Sequence, residues 1–234
     1  MNINFRNKTI LITGASNGIG LALFKRFKKL GGKVIGTCRN KKRNNLISVD
    51  LSNRESLKNF LSKIEKIKKI DVLINNAGSN IINDISLNRD QDIDEIISTN
   101  LVAPIKIIRE VSKIMKKNKS GRIINISSIF GCISKKQRSL YSSSKFGING
   151  LTKASALDLA EYNILVNSVS PGFVLTNLTK KILGKEITKL KSKIPIKRMA
   201  NTEEIINLII FLSSSYNSYI TGENIIIDGG FTIQ

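Results

Sequence analysis

Between residues 8 and 30 three kinds of sequence follow one another without a gap. Lys8-Thr-Ile-Leu-Ile-Thr13 is a short apolar run, Gly14-Ala-Ser-Asn-Gly18-Ile-Gly20 a small-residue turn, and Leu21 to Leu30 has helical spacing of its apolar positions. The run reads as a strand buried on both faces, because a half-exposed strand would alternate apolar and polar residues. A strand that enters a helix through such a turn begins a βαβ unit. The small residues let backbone come close to a ligand, and the helix start presents unpaired N–H groups and a positive dipole end, so an anion such as a pyrophosphate fits there. The spacing is G-x-x-x-G-x-G rather than G-x-G-x-x-G, so the flanking elements carry this reading.

The same alternation continues down the chain. Apolar runs at 33–38, 46–49, 71–75, 122–127, 164–169 and 224–228 read as strands. Helical spacing at 53–67, 91–117, 141–161 and 201–213 separates most of them, and Ser52-Asn-Arg-Glu55 and Asn201-Thr-Glu-Glu204 have the capping-box pattern. Strands alternating with helices predict one α/β domain over 1–234, with a doubly wound, mostly parallel sheet and right-handed crossovers. No repeat, low-complexity linker or domain boundary interrupts it. Asn100 falls in the middle of the longest helical segment, where Asn is a poor former, so a tertiary role is expected.

The chemistry is narrowed by what is missing. The chain has no histidine, which removes Ser-His-Asp triads, Cys-His pairs and His-ligated zinc together. Two cysteines, Cys38 and Cys132, cannot make a four-thiolate site, so no metal is expected. They read as reduced thiols of a cytoplasmic protein. No apolar run is long enough to span a membrane, and Met1 to Arg6 lacks a signal peptide's apolar stretch. The formal net charge of +21 invites a nucleic-acid partner. However, the lysines are scattered among many Asn and Ile residues, as drift toward A/T-rich codons would also leave them. There is no aromatic interleaving and no basic tail, so no nucleic-acid partner is expected.

Acid–base work therefore falls to Tyr, Lys, Asp or Glu. Tyr141 and Lys145 stand one helical turn apart on one face, placing a phenol beside an ammonium. The cation is expected to lower the phenol's pKa toward working pH, fitting it to exchange a proton with a carbonyl or alcohol oxygen. Ser128, at the end of the 122–127 strand, could hold the same oxygen. Arg39 ends the second strand about twenty residues past the glycine turn. There an acid binds the ribose 2′-hydroxyl of NAD, whereas Arg suits a 2′-phosphate. Arg39-Asn-Lys-Lys-Arg43 contains no acid. NADP(H) is expected over NAD(H).

Taken together, Thr13-Gly-Ala-Ser-Asn-Gly-Ile-Gly20, Asp50-Leu51, Asn75-Asn-Ala-Gly78, Asn100, Ser128, Tyr141-x-x-x-Lys145 and Pro171-Gly172 resemble the short-chain dehydrogenase/reductase family over essentially the whole chain. The look is nearest to 3-oxoacyl-acyl-carrier-protein reductases. The resemblance implies a seven-stranded Rossmann-type sheet with the cofactor across the strand ends. It implies a catalytic set of Asn100, Ser128, Tyr141 and Lys145: Tyr141 as acid/base, Lys145 tuning it and holding the nicotinamide ribose, Ser128 orienting the substrate oxygen, Asn100 supporting a relay water. Gly14, Ser16, Asn17, Gly18, Ile19 and Gly20 would serve the phosphates, and Asp50 and Leu51 the adenine. Asn76, Ala77 and Gly78 would line the nicotinamide side, with Pro171, Gly172, Val174 and Thr176 near its far edge. A homo-oligomer, tetramer or dimer, is implied as well.

The implied substrate is a carbonyl compound, small or carrier-linked. A sugar or nucleotide-linked sugar is the alternative, and a catalytically silent dinucleotide-binding module is the alternative of another class. Lys119 stands where a carrier-contacting base is common, whereas Glu161-Tyr-Asn-Ile164 lacks the basic residue often found before the sixth strand. Lys135, Lys136 and Arg138 in the loop after Ser128, and Lys180, Lys181, Lys185, Lys189, Lys191, Lys193, Lys197 and Arg198 in a lid at 176–198, face only Glu186 as an acid in that lid. If these ring the cleft, the substrate is anionic.

Overall fold

The structure, a computed structural model, describes residues 2–39, 45–176, 179 and 186–234. Seven strands form one sheet: β1 Thr9–Ile12, β2 Lys33–Cys38, β3 Leu46–Ser48, β4 Val72–Asn75, β5 Gly121–Ile126, β6 Ile164–Pro171 and β7 Asn224–Ile227. Their order is β3-β2-β1-β4-β5-β6-β7, and every pairing is parallel. The helices are α1 Gly18–Lys29, α2 Arg54–Glu65, α3 Asp90–Ile97, α4 Ala103–Asn118, α5 Ser139–Leu159, α6 Glu186–Ser192 and α7 Thr202–Ser213. The doubly wound expectation holds.

Alternation along the central strands makes the two cores. Leu11, Leu73 and Ile123 point toward α2, α4 and α5, where they meet Phe60, Ile107, Val111 and Leu159. Ile10, Ile12, Ile74 and Ile124 point the other way, onto Leu23 and Phe27 of α1 and Ile205 and Ile209 of α7. Because both faces are covered, the strands read as unbroken apolar runs.

Three boundaries depart from the sequence reading. Helix α1 begins at Gly18, so the last glycines lie inside it rather than before it. The cap of α2 is Asn53, whose side chain accepts from Ser56 N, not Ser52. The Ser52 hydroxyl is committed instead to Asp50. The long helix at 91–117 is not one α-helix: Ser98–Val102 is a π-turn between α3 and α4. A π-turn inserts one extra residue per turn and often marks a functional position. Asn100 is in it. The capping box of α7 at Asn201 and Glu204 forms as read. Among the described residues no helix is long and apolar enough to cross a membrane.

The strand order reverses between β1 and β4, so the loops leaving these strands diverge to opposite faces and open a crevice at their C-terminal ends. That crevice is the site.

Candidate active site

A cleft of about 1460 Å³ runs along the C-terminal strand ends. Gly14, Ser16, Asn17, Gly18 and Ile19 line it at the β1–α1 turn, Arg39, Asp50 and Leu51 at one end, Asn76, Ala77 and Gly78 after β4, and Ser128, Tyr141, Lys145, Pro171, Gly172, Val174 and Thr176 beyond. Two expected residues do not reach it. Gly20 is packed away: a Cβ there would stand 2.2 Å from Gly14 O and 2.4 Å from Asn76 Nδ2. Asn100 is buried behind the wall.

The turn after β1 is built for close approach of backbone. Gly14 has φ +67, and a Cβ on it would meet Ala77 Cα at 2.9 Å. Asn76 Nδ2 donates to Thr13 O and Gly14 O, both at 3.0 Å, while Thr13 Oγ1 accepts from Asn76 N and Ala77 N. The Asn76 side chain thus staples the two loops to each other. Helix α1 carries no acid in its first turn, leaving its N-terminal dipole uncancelled. A small-residue cradle on a helix N-terminus fits the pyrophosphate of a dinucleotide.

On the opposite wall Ser128, two residues past β5, has extended backbone, and its Oγ accepts from Phe130 N at 3.2 Å. The same hydroxyl lies close enough to Tyr141 to favour its ionised form. Lys145 Nζ donates to Ile126 O at 2.8 Å and lies 5.6 Å from the Tyr141 ring centre. The pKa expectation needs correcting. Burial pushes the Tyr141 phenol above its ordinary 10.0, against the downward pull of Ser128 and Arg138. Lys145 is not among the groups that supply that pull, and burial drives its own ammonium down to about 8. Desolvation of both groups outweighs the one-turn spacing.

Asn100 joins three segments. Its Oδ1 accepts from Ser79 N at 2.8 Å, and its Nδ2 donates to Ser79 O at 2.8 Å and Ser144 Oγ at 3.0 Å. Ser144 Oγ donates in turn to Tyr141 O at 2.7 Å. Both ends of the amide are engaged, so Asn100 positions the loop after β4 against α5. Ser79 and Ser144 were not singled out in the sequence; a serine near a motif carries no signal until its partner is known.

Arg39 also differs from its expectation. No acid is near it in sequence, yet its Nε donates to Asp50 Oδ2 and its Nη1 to Glu95 Oε1, each at 3.0 Å. The hydrogen bond from Glu95 leads in raising the Arg39 pKa. Against the upward push of burial, Ser52 and then Arg39 hold Asp50 below the usual carboxylate range.

The basic ring around the cleft is not what the described residues form. Arg138 Nη1 donates to Asn80, Arg198 pairs with Glu204, and Lys197 donates to Ser192 O. Lys180, Lys181 and Lys185 lie outside the described residues. Among the described residues the cations lining the cleft are Lys25, Arg26 and Lys29 of α1, with Arg39 and Lys145. Lys119 is the left-handed C-cap of α4, ahead of β5 and away from the cleft.

Fold and cleft together are those of a nicotinamide-dependent oxidoreductase of the doubly wound class. The chain belongs to the short-chain dehydrogenase family, which it matches over residues 8–186. Such proteins interconvert an alcohol and a carbonyl with NAD(P), and this chain is one of them. Among curated proteins it is 38% identical to the 3-oxoacyl-[acyl-carrier-protein] reductase FabG of Rickettsia typhi, covering 97% of this chain and 98% of that one. It is 32% identical to FabG of Escherichia coli, again over 97% and 98%. Among solved structures, a 4-hydroxyisoleucine dehydrogenase complexed with NADH is 34% identical with a TM-score of 0.90, covering 97% of this chain and 100% of that one. A putative NAD(P)-dependent gluconate 5-dehydrogenase from Beutenbergia cavernae with bound NADP is 26% identical with a TM-score of 0.92, covering 99% of both.

Proposed function

We propose that the chain is an NADP(H)-dependent reductase of 3-oxoacyl thioesters, carried on acyl-carrier protein or CoA. The observation that carries the reading is the convergence of Ser128, Tyr141 and Lys145 on the cleft that the glycine turn opens. The reductases to which the chain is similar end to end support the substrate class. The nicotinamide, when bound, supplies or accepts the hydride.

The chain's own residues do the rest. Ser128 and Tyr141, neighbours on one wall of the cleft, hold the substrate oxygen between two hydroxyls. Tyr141 delivers its proton to that oxygen in reduction and recovers it in oxidation. Lys145 lends positive charge to the ribose end of the cofactor and to the phenol once a ligand reorganises the wall. Asn100 fixes the relative placement of the Ser79 loop and α5, so that these hydroxyls do not drift. Asp50 and Leu51 flank the adenine, Arg39 the 2′-phosphate, Gly18 and Ile19 the phosphates, and Val174 and Thr176 the carboxamide.

Two free cysteines fit a reducing compartment. Exposed Ile105, Phe146 and Leu157 on α4 and α5 support self-association. A second reading, a dehydrogenase of sugar acids, is favoured by the likeness to the gluconate dehydrogenase fold. The deciding experiment follows nicotinamide absorbance with NADPH and NADH against acetoacetyl thioesters, keto-sugars and nucleotide-linked sugars. Turnover of the sugars without the thioesters would overturn the reductase reading.

A further inference from the structure

Recognition of a phosphate by arginine is strongest when two adjacent N–H groups meet two oxygens. The guanidinium of Arg39 has two such edges, Nε with Nη2 and Nη1 with Nη2. One nitrogen of each edge is already taken, Nε by Asp50 and Nη1 by Glu95. Among the described residues no acceptor meets Nη2. The single N–H of Nε is used up, so the remaining edge is Nη1 with Nη2, and a phosphate docking there must share Nη1 with the Glu95 carboxylate.

The two carboxylates are not equally held. Asp50 Oδ1 accepts from Ser52 N at 3.0 Å and Ser52 Oγ at 2.6 Å, so the group is locked in place. Among the described residues Glu95 has one other side-chain contact, Ser79 Oγ at 3.3 Å, and the two carboxylate side chains are equally exposed, 35% each, so the bonds that hold them decide. To swing away from Arg39, Glu95 gives up at most that one long bond. Asp50 would have to break both of its bonds to Ser52. The yielding partner is Glu95.

We propose that Glu95 is a specificity-determining residue that restrains Arg39 and competes with the 2′-phosphate for it, narrowing the preference for NADP(H) over NAD(H). This rests on the reading of Arg39 as the 2′-phosphate contact. Glu95 lies on α3, more than fifty residues beyond the strand that carries Arg39, which is why no local motif reveals it. Its carboxylate acts twice: it occupies Nη1, and it repels an incoming dianion. NADH carries no 2′-phosphate and feels neither effect directly.

The test is calorimetric binding of NADPH, NADH and 2′-AMP to wild type, Glu95→Gln, Glu95→Ala and Arg39→Ala. Both Glu95 variants should bind NADPH and 2′-AMP at least about fivefold more tightly, with NADH changed less than about twofold. Unchanged or weaker NADPH binding in both Glu95 variants, with Arg39→Ala still lowering the NADPH-to-NADH preference, overturns the role of Glu95 alone. If Arg39→Ala leaves that preference unchanged, Arg39 does not read the phosphate and the cofactor reading falls with the inference.

Discussion

Lys145→Met tests the claim that burial, not the neighbouring phenol, governs this lysine. Its side chain is 4% exposed and its ammonium is driven from 10.5 to about 8 by desolvation. At about 1.4 kcal/mol for each tenfold change in proton affinity, the displacement corresponds to roughly 3 kcal/mol. At about pH 7 both folded and unfolded chains hold the proton, so this sum weighs fully against the fold. The folded pKa is the lower one. As pH rises from about 8 toward 10.5 the folded lysine sheds its proton while the unfolded one keeps it, and stability returns. By about pH 10 most of it, roughly 2–3 kcal/mol, is recovered. The Met variant carries no such group and also lacks the bond to Ile126 O, a loss that does not move with pH in this window. The stability of wild type minus that of Lys145→Met should therefore rise by roughly 2–3 kcal/mol between about pH 7 and pH 10. Urea unfolding followed by circular dichroism at both pH values, with matched slopes, measures it. A rise below about 1 kcal/mol, or a fall, would refute the assignment of the shift to burial.

Tyr141→Phe should lower kcat about 10²–10⁴-fold while NADPH binding and thermal unfolding stay near wild type, because only the transferable proton is lost; retention of a tenth of the activity would contradict the acid–base role. Arg39→Asp should weaken NADPH at least about tenfold relative to NADH, since it puts a third carboxylate beside Asp50 and Glu95; calorimetry reading tighter NADPH in the variant would contradict it. Gly20→Ala should cost about 1–3 kcal/mol and loosen dinucleotide binding, because the new Cβ collides with Gly14 O and the Asn76 staple; a variant as stable as wild type by thermal unfolding would show that the turn yields freely.

Most of the scaffold was legible because its signals are local. Apolar runs such as Ile10 to Ile12 are continuous where both sheet faces are covered, and the Asn201 cap announces α7 three residues ahead of its partner. The wall of the cleft was legible for the same reason: Tyr141 and Lys145 share a turn. What stayed hidden is pairing across distance. Glu95 reaches Arg39, and Asn100 reaches Ser144, over 56 and 44 residues. Nothing in the spacing of charges distinguishes Arg39, held by two acids, from the other basic residues near it in the sequence. Gly20 misled for another reason. A glycine required by packing and a glycine required by a ligand look the same in sequence, and only the 2.2 Å approach to Gly14 O separates them. The π-turn at Ser98–Val102 was half legible: an Asn inside a helix signalled a tertiary role but not the changed winding.

Burial acts in opposite senses on the two groups of the α5 pair. It raises the phenol and lowers the ammonium, so each is pressed toward its neutral form. On the acid–base role proposed for Tyr141, the neutral phenol is the proton-donating form, and its ionisation depends on whatever opposes burial. The groups that oppose burial are Ser128 and Arg138, and neither lies on the exposed face of α5. Ser128 is fixed by the end of β5. Arg138 is held over the Phe130 ring and tied to Asn80 in the loop after β4. That loop is the one Asn100 grips through Ser79. Burial still leads, and what pull there is toward the phenolate comes less from the helix that displays Tyr141 than from the loops leaving β4 and β5.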